Sequence, residues 1–259
     1  MSDMEVLNPA LSPQEIDTRL DALAQRYSRA AGPGIQLLNL IGGQAEGLID
    51  QLPKPVREAL GGRTEEALKL AMQAAHGSRG LVDGQAGWLN RALTTAMGAA
   101  GGIGGLPTAL AELPVTTTIL LRTIQDVAVE HGFDPAEEGV HFDCVQVFAA
   151  AGPLDHDDGA DLGFLGARVT VTGPALQQLI SSVAPRLATV LGQKLAAQAV
   201  PVLGAAAGAV TNYTYTSYYQ QMAYVHFGLR RLAIEADLDR AEIAERFRAR
   251  IKPAPLNKM

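Results

Sequence analysis

The chain has 259 residues, a formal net charge of −6, and hydrophobic residues at 47% against 19% charged. That length supports one large domain or two small ones with a sizeable core, and the acidic balance excludes a global basic footprint for nucleic acid. The single cysteine, Cys144, excludes an internal disulfide and fits a reducing compartment.

Aromatic residues are scarce at 5% while glycine is abundant, so the core is expected to form from closely approaching helices with small contact residues. The first residues, MSDMEVLNPALSPQEID, lack the basic and apolar regions of a signal peptide, and cytoplasmic residence is the expectation.

In chain order, Ser12-Pro13-Gln14-Glu15 reads as a capping box with proline at the first helical position. Ile16, Leu20, Leu23, Ala24 and Tyr27 follow at helical spacing, and Gly32-Pro33-Gly34 ends the run. Ile35, Leu38, Ile41, Ala45, Leu48 and Ile49 predict a second helix, broken at Pro53 and Pro55. Thr64 reads as the cap of a third helix ending at His76-Gly77, with Gly61-Gly62 as a candidate boundary before it. Trp88, Leu89, Leu93 and Met97 mark a fourth.

Gly101-Gly102-Ile103-Gly104-Gly105 then forms an elbow, because four glycines in five residues oppose helix. A helix is predicted from about Thr108 to His131, closed by Gly132, and another from Asp134-Pro135 to Ala151. Residues 152–172 are the clearest loop, with one short β-like signal at Thr170 to Thr172. A long helical block begins at Pro174, with Pro185 and Pro201 read as bends or breaks. A tyrosine-rich helix and a last helix near Leu238 to Ile251 follow, and the tail 252–259 is expected to fray. The fold class is all-α: a compact multi-helix bundle with a Gly-rich elbow and a long central helical hairpin.

Two uncharged stretches stand out, Ala92 to Ala111 and Leu195 to Leu229. Both are long enough to span a bilayer as helices. The glycines and Pro107 in the first, and Gln198, Pro201, Thr211 and Asn212 in the second, make insertion costly. Close-packed core is the better reading, with membrane contact as an extra. Gly204 to Gly208 is a small-xxx-small pattern that lets helices approach closely. Five of the six tyrosines, Tyr213, Tyr215, Tyr218, Tyr219 and Tyr224, lie in the same stretch, and suit a packing seam or an interface.

Motif by motif, the chemistry thins out. The glycine cluster lacks the Lys and hydroxyl of a P-loop, and Pro107 spoils a dinucleotide fingerprint. Asp155 to Asp161 fails the EF-hand spacing and reads as a solvated acidic loop, so no metal and no cofactor is expected. Arg246, Arg248, Arg250 and Lys252, beside Glu242 and Glu245, read as a solvated helix face. Cys144 reads as a buried apolar thiol, and His76 and His131 as helix C-terminal cations. The most suggestive polar set lies on the helix after the elbow: Glu112, Thr116, Thr117, Thr118, Arg122 and Asp126 among leucines, isoleucines and valines. Such a set either fixes packing or lines a pocket.

The elbow, then GLPTALAELPVTTTILLRTIQDVAVEHGFD, CVQVFAAAG and KLAAQAVPVLGAAAGAVTNY, resembles the EcsC protein family over about residues 81–237, with helices 12–76 packed on that core in a single domain 1–259. The Leu-Pro…Leu-Pro-Val-Thr-Thr-Thr helix and the Lys194…Pro201-x-x-Gly204…Asn212 pattern carry the likeness. The resemblance implies an all-helical bacterial protein associated with secretion and the cell envelope, and brings no catalytic residues. Glu112, Thr116, Arg122, Asp126, Lys194 and Asn212 are ligand-binding candidates on polar placement alone.

The expectation is a non-enzymatic accessory or binding protein, peripheral at the inner membrane face. Its partners would be a membrane lipid or apolar ligand, or a transporter-associated protein, and not nucleic acid. Two alternatives stay open: a hydrolase or lipid-modifying enzyme using a buried polar network, and a protein-docking module of a transporter complex.

Overall fold

A computed structural model describes residues 11–30, 52–77, 113–149, 173–198 and 204–251. They form helices α1 (Pro13–Ala30), α2 (Lys54–Gly77), α3 (Leu113–Glu130), α4 (Glu138–Gln146), α5 (Gly173–Gln198), α6 (Gly204–Glu235) and α7 (Arg240–Ile251), with a 3-10 turn at Val147–Ala149 after α4. Among the described residues there is no strand, and the fold is all-α. The elbow at 101–105, the helices read over 35–49 and 88–97, the 152–172 loop, Pro201 and the tail from 252 lie outside the described residues, as does all of Ala92 to Ala111.

Local signals set the helix ends. In the capping box before α1, the Ser12 N–H donates to Glu15 Oε2 (2.8 Å) and the Glu15 N–H to Ser12 Oγ (3.3 Å). The α3 helix closes in a Schellman turn, where the Phe133 N–H reaches Ala128 O at 3.0 Å and the Gly132 N–H reaches Val129 O at 2.8 Å. Gly132 holds φ 78° there, a conformation glycine adopts without penalty. The α6 helix ends the same way, but with Asp237 at φ 51° and Leu238 donating to Ala233 O. Asp239 then caps α7 through the Ala241 N–H at 2.7 Å.

Two expectations about α2 are corrected. The helix starts ten residues before Thr64, with Val56 and Arg57 donating to Pro53 O, so Thr64 is no cap and Gly61-Gly62 is no boundary. The physical reason is the continuous apolar stripe of Leu60, Ala67, Leu68, Ala71 and Met72, all buried, with Thr64 buried among them. A side chain added at either glycine would meet nothing, so both lie on open surface and cost only about 1 kcal/mol each. Pro185 likewise sits inside α5, which runs on through it.

Two apolar clusters organise the packing. The larger joins α2, α3, α4, α5, the end of α1 at Ala30 and α6 from Tyr215 to Phe227, around Leu68, Leu121, Ile124, Phe148, Leu187 and Tyr219. The smaller joins α1, the second half of α6 and α7 around Leu20, Leu229, Leu232, Ile243 and Phe247. The α5 and α6 helices, the arms of the expected hairpin, pack on each other. The tyrosines form a seam: Tyr215, Tyr218 and Tyr219 are buried, with Tyr219 edge-on to Phe148 at 5.1 Å, while Tyr213 is exposed and Tyr224 is half-buried. No described helix is long and apolar enough to cross a membrane.

Candidate functional site

The charges that matter lie where α6 meets its neighbours, in two arrangements. One is sealed. Asp143 on α4 is buried, with its side chain 5% exposed, and two arginines and a histidine converge on it. Arg230 of α6 donates to Oδ2 at 2.6 Å, Arg240 of α7 reaches Oδ1 at 3.5 Å, and His226 Nε2 of α6 stands 3.4 Å from the same oxygen. Burial pushes the Asp143 carboxyl up, but His226, Arg240 and Arg230 more than reverse that and bring it to about 2. The Arg230 guanidinium also lies over the Phe133 ring, 4.3 Å from its centre. One carboxylate thus ties α4, α6 and α7 together, at the seam between the two apolar clusters. The His226 and Asp143 side chains are closed to solvent, at 0% and 5% exposure.

The other arrangement is open. Between α1 and α6 runs a groove of about 710 Å³ lined by Arg19, Arg26, Arg29, Tyr224 and Arg231, among others, with Leu23 and Leu232 on its apolar wall. Three of its four arginines come from one face of α1, at helical spacings of seven and three. The groove exists because Gly228 lets α1 come close: a Cβ at Gly228 would lie 2.7 Å from Leu23 Cδ2. Arg26 stacks on Tyr224, 4.0 Å from the ring centre, and donates to Gln221 Oε1 at 3.2 Å. Arg19 and Arg231 both bind Glu235, and the Tyr224 hydroxyl donates to Glu130. His131, read as a helix-end cation, contacts Val127 O through Nδ1 at 2.8 Å and also lines the groove.

Ion pairs fasten α1 to α7 as well. Arg246 and Arg250 reach Asp17 at 3.0 and 2.6 Å, and Arg250 reaches Asp21 at 2.8 Å. The basic run near the C-terminus is therefore more than a solvated face, because two of its arginines bridge helices. A third feature is apolar: Val56, Ala59, Leu70, Leu113 and Pro114 line a groove of about 520 Å³ between α2 and α3.

The predicted site residues lie elsewhere. Thr116 on α3 and Asn212 on α6 are buried, and Arg122 and Asp126 are half-buried on α3. Glu112 and the side chain of Lys194 lie outside the described residues. None of the four described ones lines the arginine groove or the apolar groove. Among the described residues no cluster of histidine, cysteine and carboxylates could hold a metal ion, and Cys144 is fully buried. The Asp155 to Asp161 loop lies outside them.

The profile of the EcsC protein family matches residues 81–232, more than half of the chain. The chain belongs to that family. A stretch of 44 residues is 43% identical to the uncharacterized protein YdbA of Bacillus subtilis (strain 168), covering 17% of this chain and 16% of that one. No solved structure matches. The family span takes in α3, α4, α5 and α6 as far as Leu232, so Arg19, Arg26 and Arg29 of the groove stand outside it.

Proposed function

We propose that the chain is a non-enzymatic binding protein that works at a cytoplasmic membrane face and holds an anionic ligand in the groove between α1 and α6. The observation that carries this reading is the convergence of four arginines on one open groove in a chain whose net charge is −6. Its volume falls within the range of roughly 300–1,000 Å³ for small-molecule sites. Guanidinium forks suit carboxylates and phosphates, and each basic residue near an anionic membrane contributes about 1 kcal/mol. Leu23 and Leu232 give the ligand's carbon body an apolar wall. The family resemblance directs the role to envelope transport or secretion.

Vesicle flotation tests the proposal. The wild-type protein floats with phosphatidylcholine vesicles doped with anionic lipid at low salt, is released by high salt, and stays down with phosphatidylcholine alone. The double substitution Arg26→Ala and Arg29→Ala weakens flotation about tenfold or more, from about 1 kcal/mol per lost charge. Failure of the wild-type protein to float with any anionic vesicle, or undiminished flotation of the double variant, overturns the reading.

A further inference from the structure

Two of the groove's four arginines already hold an anion. Glu235, at the end of α6, places Oε1 on Arg231 Nε at 2.7 Å and Oε2 on Arg19 of α1. Two guanidiniums from two helices thus close on the two oxygens of one carboxylate, an arrangement that phosphate oxygens also satisfy. The arrangement is open to exchange. Glu235 is 28% exposed, and Arg19 and Arg231 are 48% and 46% exposed, so the carboxylate can turn to water without leaving a buried charge.

The other two arginines are not committed to carboxylates. Arg26 rests on the Tyr224 ring and Gln221, and Arg29 makes no ion pair among the described residues. An incoming anion must therefore displace Glu235 to reach all four cations. A carboxylate or a phosphodiester carries one negative charge, so it replaces Glu235 like for like and gains little. A phosphomonoester carries about −1.5 to −2 at neutral pH and three strong acceptor oxygens. It can take the fork that Glu235 vacates and still engage Arg26 and Arg29.

We infer that the groove's ligand class is a phosphomonoester, and that Glu235 is the internal competitor it displaces, the preference over phosphodiesters coming from the further charge and oxygen that Arg26 and Arg29 take. The inference rests on the groove being an anion site, and it names the ligand's chemistry and the residue that competes with it. The monoester is either a free metabolite-sized phosphate ester or the headgroup of a lipid such as phosphatidic acid.

Titration calorimetry with glycerol 3-phosphate and dimethyl phosphate tests the free source, and flotation with phosphatidic acid or phosphatidylglycerol vesicles tests the lipid source. The wild-type protein prefers the monoester by about tenfold, the worth of one further charge-assisted hydrogen bond. Glu235→Gln removes the competing carboxylate and tightens binding of the monoester several-fold. Arg29→Ala weakens the monoester several-fold with an unchanged melting temperature, and keeps the test decisive if Glu235→Gln loosens α1. Preference for the monoester in either arm supports the inference and identifies the source. Equal binding of diester and monoester by the wild-type protein overturns it, as does monoester binding that Glu235→Gln fails to tighten, while the groove itself stands. If no anion binds the wild-type protein in either arm, the groove reading fails as well.

Discussion

The two halves of α6 pack into different surroundings. From Tyr215 to Met222 its buried side chains meet α2, α3, α4 and α5 in the larger apolar cluster, built of leucines, valines, isoleucines and tyrosine rings. Val225, Leu229, Leu232 and Ala233 meet α1 and α7 in the smaller cluster, which is ringed by arginines and carboxylates, while Phe227 between them still packs in the larger one. The contrast assigns different work to the two regions. The bundle is held by buried apolar side chains, among which an unpaired charge would cost desolvation. The cap of α1 and α7 buries less and lies open, so it can carry the guanidiniums that a ligand needs. Asp143 is the joint between them.

That comparison can be broken at the joint first. Asp143→Asn leaves Arg230, Arg240 and His226 around a neutral amide, and removing one partner of a buried ionic cluster costs about 3 kcal/mol. At roughly 2–4 °C per kcal/mol for a chain of this size, the melting temperature falls by several degrees. A loss below about 1 kcal/mol by chemical denaturation would make the joint unimportant. The same site gives a pH signature. The folded Asp143 carboxyl sits at about 2, below the ordinary aspartate value of 3.8. A depressed acid contributes stability that is fully present above the unfolded value and is lost as pH falls through the folded one. About 2 kcal/mol should therefore disappear between pH values of about 4 and 2, and Asp143→Asn should remove that component from the acid titration.

A smaller effect sharpens the comparison at the groove. Gly228→Ala places a methyl 2.7 Å from Leu23 Cδ2, so Leu23 must rotate or α1 must move away. Because the near atom is the end of a flexible side chain, the stability cost is about 1 kcal/mol. The groove widens between α1 and α6, and anion binding weakens with it. Unchanged binding and an unchanged melt would show that the close approach of α1 does not shape the site.

Much of the fold was legible because local chemistry and global packing agree. Ser12 and Glu15 bond as their spacing predicts, Gly132 ends α3, and the tyrosines pack as a seam. Where they disagree, packing decides. Gly61-Gly62 interrupts the propensity of α2 but not its buried stripe, so a boundary read from glycine alone was misplaced. The groove was illegible for another reason. Its arginines are divided between α1 and α6, about two hundred positions apart in sequence, and each alone looks like ordinary surface in an acidic chain. The helical spacing of Arg19, Arg26 and Arg29 was the one available signal. Asp143 gave a signal too: a lone acid between Val140, Cys144 and Val145 in a run that becomes buried.

Hydrogen–deuterium exchange with and without phosphatidic acid vesicles, or with and without glycerol 3-phosphate, tests the division of labour most directly. The account predicts new protection in α1, Pro13–Ala30, and in the second half of α6, with α2, α3 and α5 unchanged. Protection that spreads over α2 and α3 while sparing α1 would contradict it.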